Sequence, residues 1–395
     1  MSLHMPAPAG SSPGSDRSGG AGPLPEAAVP APTPPAGGRA RGRLRALDGL
    51  RLVAALMVCF YHYAGRSGDI AHSWGKSPRE IFPHLAGPFS YGPLGVQIFF
   101  IISGFVICMS GWGRSIKDFA ISRVTRLYPA YWAALIIITV VFTWANYKHV
   151  SKTDLLTNFT MLQMPAGAQR VLGVDWTLWA EMRFYLLFAV CVLWRGATRE
   201  RVLMFCALWT AAALYAGSSK QQFLELALMP NYAPFFVGGI GLYLIYRFGH
   251  DAISWGVVAI GFLLGQRYAV QDLVAPAHSH VFYHRTQFGV IAVVTFGFIA
   301  VAVVTLVPAV ANVNWRWLTT AGALTYPFYL VHEHLGWVAI DKLHHKTSLS
   351  APVILFGTAL SMLVLAYLLN KFVEKPLAPR LKKLLQARPR PAGAH

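Results

Sequence analysis

Leu47-Asp48-Gly49-Leu50-Arg51-Leu52-Val53-Ala54-Ala55-Leu56-Met57-Val58-Cys59-Phe60-Tyr61-His62-Tyr63 is the stretch whose reading decides the fold. Asp48, Arg51 and His62 are set in an otherwise apolar run. Counted from Ala46, the run approaches the ~20 residues that a helix needs to cross ~30 Å of hydrocarbon. Further stretches of the same kind start at Gly92, Pro129, Trp176, Glu200, Tyr232, Ala252, Thr286, Leu318 and Ala351. Inside lipid each backbone N–H and C=O must be satisfied within its own segment, so these stretches are read as helices. The expectation is an all-α, polytopic membrane protein with about ten transmembrane helices.

Composition agrees. Hydrophobic residues make up 55% of the 395 and charged residues only 13%, too few to cover a water-facing surface. The bilayer is therefore the expected solvent. The net charge of +18 would suit nucleic acid, but the basic residues sit in short runs between apolar stretches, as in membrane-protein loops. Of the 34 Lys and Arg, 20 lie on stretches sharing the N-terminal side and 11 on the opposite loops. That bias predicts cytoplasmic termini in a bacterial-type cytoplasmic membrane. Residues 1–42 are rich in Pro, Gly and Ala and predict a disordered tail with no signal peptide. Residues 43–376 form the transmembrane domain, and 377–395 a basic cytoplasmic tail. Cys59, Cys108, Cys191 and Cys206 all fall in apolar segments without metal-ligand spacing. Nothing in the residues sets an oligomeric state.

The ionisable residues inside the spans carry the chemistry. Arg51 and His62 are eleven residues apart, close to three helical turns, and so share a face ~16 Å apart along the axis. Asp48 lies one turn before Arg51 and can pair with it. Counting ~1.5 Å per residue puts His62 about 22 Å above the inner end of its span. The same count puts His332 about 21 Å up the ninth span and Glu181 about 8 Å below the outer end of the fourth. The three therefore predict one shared polar cavity, with Ser103 and Tyr185 as further polar neighbours. Glu181 and Arg183 are two apart and face different ways, which argues against a mere structural pair. His332, Glu333 and His334 diverge around a helix, so no metal is expected. Arg123 and Arg126 fall on one face of the first cytoplasmic loop. They suit either a phosphate-bearing ligand or anionic headgroups.

Five segments together resemble the acyltransferase-3 family of membrane O-acyltransferases. They are the Leu47–Arg51 start with its Arg51-x10-His62, Phe99-Phe100-x-x-Ser103-Gly104-Phe105, and Arg123-x-x-Arg126-x-Tyr128-Pro129. Then come Trp176-Thr177-Leu178-x-x-Glu181-x-x-Phe184-Tyr185 and Tyr326-Pro327-x-Tyr329-Leu330-x-His332. They occur in family order from residue 44 to about 376. The resemblance implies about ten helices and transfer of a short acyl group from acyl-coenzyme A to a hydroxyl, often on a sugar. It implies no bound cofactor, with acyl-coenzyme A as the donor substrate. It implies that Arg51 and His62 are the essential pair, and that Arg123 and Arg126 bind the donor. His62 would take the acceptor's proton with Glu181 orienting it. No appended hydrolase-like domain, such as some glycan-modifying members carry, is expected, and the chain looks most similar to the macrolide-tailoring branch. A macrolide antibiotic or another glycoside is the expected acceptor; an envelope or exported polysaccharide is the alternative. A small-molecule transporter also places ionisable groups at mid-membrane, but no inverted repeat is visible. A membrane scaffold would tolerate His62→Ala.

Overall fold

The computed structural model describes residues 44–219, 221–274 and 285–387. The expected tail at 1–42, and residues 388–395 of the basic C-terminal segment, lie outside the described residues. Among the described residues there is no strand. The long helices are α1 (Arg45–Phe60), α2 (Leu94–Gly111), α3 (Ile116–Ala145), α4 (Asp175–Cys191) and α5 (Arg199–Ser219). They continue with α6 (Ala233–Phe248), α7 (Ala252–Val274), α8 (Gln287–Leu306), α9 (Arg316–Lys346), α10 (Ala351–Leu369) and α11 (Lys375–Gln386). Nine helical stretches among the described residues are long and apolar enough to cross a membrane, so the protein is all-α and polytopic.

Helix α9 spans 31 residues yet stands outside those nine, because Tyr326, Tyr329, His332, Glu333 and His334 dilute its apolar character. It packs against α1, α3 and α10 and is buried along most of its length. A helix shielded by other helices does not need an apolar surface, and polar groups inside a bundle face its interior.

Most spans begin within two residues of the expected positions; the third does not. The basic stretch before Pro129, expected to be a loop, is the first part of α3. The Ser115 hydroxyl starts the helix by accepting from Asp118 N at 3.1 Å. Phe119, Ile121, Thr125 and Leu127 face inward while Arg126 stays exposed, so the stretch is an amphipathic extension of the span. Pro129 removes a single backbone donor, and the helix runs through it. The expected tail also differs. A π-helical turn, Asn370–Glu374, leads from α10 into α11, which packs against α3.

Small residues set the closest approaches. A side chain on Gly104 would collide with the Phe236 carbonyl, and one on Gly239 with the Ile101 carbonyl, so α2 and α6 meet backbone to backbone. Gly92 and Gly95 play the same part against Met57 and Ala54 of α1. Two apolar cores result. One gathers Phe105, Phe184, Phe188, Phe236 and Val294; the other gathers Tyr131, Ile138, Phe328 and Leu355. Helices α1, α4 and α9 contribute to both cores and form the seam between them. The ionisable residues lie along that seam. Outward-facing Val140, Leu263, Phe288 and Phe296 are exposed, as a lipid-facing belt requires.

Candidate active site

At the end of α1 the helix widens into a π turn, Tyr61–Gly65, which carries His62. Single π turns re-aim side chains. Three contacts fix this one against α9. His62 Nδ1 lies 3.0 Å from His332 Nε2. The Tyr63 hydroxyl donates to the His332 carbonyl at 2.6 Å, and Trp337 Nε1 donates to the His62 carbonyl at 3.0 Å. Gly336 gives room for the Tyr63 ring. On its other side, His62 Nε2 is 3.5 Å from Glu333 Oε1. Glu333 is buried under the loop before α4, where a side chain on Gly173 would overlap its carboxylate. His62 and Glu333 line a cleft of about 660 Å³ together with Arg66, Lys148, Arg170, Trp176 and Trp337. The Arg66 guanidinium lies over the Trp337 ring at 5.7 Å.

Toward the start of α1 lies a second polar group. Arg51, Arg126, Glu181 and Tyr326 are common to two clefts, of about 70 and 490 Å³. The larger adds Ser122, Arg123, Tyr185, Asn370, Glu374 and Lys375. Ser103 donates to Glu181 Oε1 at 2.6 Å. The Arg123 guanidinium lies over Phe119 and Tyr185, with centroid distances of 5.5 and 5.9 Å, and its Nη2 reaches Ser122 Oγ at 3.1 Å. Buried Nε atoms of Arg51 and Arg123 have no protein acceptor, which leaves donors for a ligand. Asp48 packs against Gly322 of α9. The smaller cleft runs toward the histidines as far as Thr177 and Tyr329, whose hydroxyls meet at 3.1 Å.

The structure unites His62 and His332, as their depths predict, but assigns Glu181 to the other group. The span of α4 begins level with His62, since Trp176 lines the His62 cleft. Glu181 is five residues further along, about 7.5 Å deeper toward Arg51. The carboxylate beside His62 is Glu333 instead. Its signal in the sequence is adjacency to His332, a pattern read above only as a metal motif. His334 lines the same cleft but is tied to the loop before α4, with Nδ1 2.9 Å from the Val171 carbonyl. Arg183 bonds the Leu226 carbonyl and stacks on Trp179, separate from Glu181. Among the described residues no group of three His, Cys, Asp or Glu side chains could hold a metal ion.

A family model described as an acyltransferase domain matches residues 44–371. Acyltransferase MdmB of Streptomyces mycarofaciens is 28% identical across 73% of this chain and 78% of its own length. An O-acetyl transferase of Shigella phage Sf6 is 32% identical across 37% of this chain and 45% of its own length. The peptidoglycan O-acetyltransferase OatA of Listeria monocytogenes is 24% identical across 37% and 24%. No solved structure matches the chain.

Proposed function

We propose that this chain, which belongs to the acyltransferase-3 family of membrane O-acyltransferases, moves a short acyl group from acyl-coenzyme A to a hydroxyl of a sugar-bearing small molecule such as a macrolide antibiotic. One observation carries this reading. Helix α1 runs from the arginine-lined clefts at one end to His62 at the other, where Glu333 of α9 completes a histidine–carboxylate pair. A long, slender donor with an anionic head suits that separation. Arg123 and Arg126 bind its phosphates through charge-assisted hydrogen bonds, and Arg51 lies between them and the histidines. The excess of Lys and Arg on that side supports a cytoplasmic position for it and for both termini.

The thioester is already activated, so the protein has to align two substrates and move one proton. His62 takes the proton of the acceptor hydroxyl. The hydroxyl oxygen bonds to the thioester carbonyl carbon. Collapse of the adduct breaks the C–S bond, and the sulfur leaves with the electron pair and regains the proton from His62. An ester and a free thiol result, and the histidine ends neutral. Glu333 stabilises the transient imidazolium.

A second acceptor class, a cell-envelope or exported polysaccharide, is favoured by the name of the Listeria relative. Purified protein mixed with acyl-coenzyme A and a panel of glycosides and polysaccharide fragments tests the reading. Acceptor-dependent release of free thiol is the expected result. No thiol release with any acceptor, alongside transport of the glycoside into vesicles, would overturn it.

A further inference from the structure

We infer that His332 is a positioning residue, which fixes His62 in the tautomer whose bare Nε2 faces the Glu333 cleft. The acceptor hydroxyl then has to approach from that cleft. The role in turnover rests on His62 being the general base; the tautomer itself does not.

The assignment follows from counting hydrogens along one chain of contacts. His332 Nδ1 is 2.9 Å from the Tyr329 carbonyl oxygen. A carbonyl only accepts, so Nδ1 carries the hydrogen. A neutral imidazole has one N–H, which leaves His332 Nε2 as an acceptor. That atom is 3.0 Å from His62 Nδ1. One hydrogen has to lie between the two nitrogens, and only His62 can supply it. His62 Nδ1 is therefore the donor, and in the neutral ring, the form from which a general base starts, His62 Nε2 is bare. Nε2 is also the atom 3.5 Å from Glu333 Oε1.

The reverse order would set a lone pair of His332 against the Tyr329 carbonyl at a fully buried position. A doubly protonated His332 would place an imidazolium at a fully buried position, and no carboxylate lies within salt-bridge distance of His332 among the described residues. The ring has little freedom to escape either constraint. Phe328 stacks on it with centroids 5.6 Å apart, and Tyr63 grips its carbonyl.

The arrangement has a consequence for the reaction. When Nε2 takes the acceptor's proton, both N–H groups of the imidazolium face a partner already in place: His332 on one side and the Glu333 carboxylate on the other. No side chain has to turn during the transfer. His332 touches neither substrate; its contribution is to hold the second histidine's hydrogen on Nδ1.

Nitrogen-15 spectra of histidine-labelled protein in detergent test the tautomer, with the His62 signals identified by their loss in His62→Ala. The expected spectrum has a hydrogen-bearing Nδ1 and a bare Nε2 on His62. In His332→Leu the Nε2–H form should gain population. The kcat should fall at least about tenfold while both KM values stay within about twofold, since a base in the wrong tautomer binds normally but cannot accept. His332→Gln, whose amide oxygen can accept from His62 Nδ1, should restore most of the rate. A hydrogen on Nε2 of wild-type His62 would overturn the assignment whatever the activity, and that spectrum needs no variant in the buried slot. A bare Nε2 together with undiminished kcat in folded His332→Leu would overturn the positioning role. Failure of the general-base reading would show separately, as full activity in His62→Ala.

Discussion

Replacing Glu333 by Gln isolates the electrostatic part of the proposed chemistry. Gln keeps the volume that fills the space under Gly173, so the packing of α9 against the loop is retained. What changes is the charge 3.5 Å from His62 Nε2. For full unit charges at that distance, an effective dielectric of ~20 gives an attraction of about 5 kcal/mol. In the transition state the proton is only partly transferred, so somewhat under half of this, about 2 kcal/mol, acts on the barrier. Each ~1.4 kcal/mol is a factor of ten, so Glu333→Gln should lower kcat about thirtyfold. The KM for the donor should not move, because the arginine clefts lie at the other end of α1. Acceptor-dependent thiol release, normalised to protein that elutes as a single species, measures this directly. A kcat within about threefold of wild type would mean that Glu333 does not stabilise the imidazolium, since even half the calculated attraction exceeds that effect.

Arg123→Ala and Arg126→Ala should each raise the donor KM about ten- to a hundredfold, the worth of one charge-assisted contact to phosphate, with the acceptor KM unchanged. Lysine at either position should restore part of the loss, and a donor titration on monodisperse protein decides; an unchanged donor KM would move the phosphate site elsewhere. Gly239→Val forces a branched side chain into the Ile101 carbonyl, where backbone has to move, and should cost about 1–3 kcal/mol or more of stability. A thermal-shift assay in detergent should show a lower Tm or loss of monodisperse protein, whereas a wild-type Tm would show that α2 and α6 are not in backbone contact.

Much of the helix order was legible because hydrocarbon thickness dictates span length, and the expected starts at Ala252 and Ala351 are the first residues of α7 and α10. Three features were not legible, each for a physical reason. Charge alone cannot separate a loop from an amphipathic helix at the membrane surface, which hid the first part of α3. Pro129 reinforced that error, although a helix that loses one backbone donor can continue. Depth along an axis predicted that His62 and His332 meet, but depth says nothing of tilt or of where a span begins to descend. For that reason Glu181 was placed level with His62 instead of beside Ser103 and Arg51. Glu333 was hidden by its neighbours: adjacent residues on a helix point about 100° apart, and only the packing of α9 on the π turn of α1 shows that both His332 and Glu333 reach the same imidazole from different sides.

The most direct test of His62 as the proton acceptor is the turnover of His62→Ala, compared with wild type at saturating donor and acceptor. The variant should elute as folded protein and bind donor normally, because Arg123 and Arg126 are untouched. Its kcat should be lower by at least about a hundredfold, the lower range for removal of a general base. A folded His62→Ala protein that turns over at near the wild-type rate would contradict the assignment of acyl transfer to this histidine.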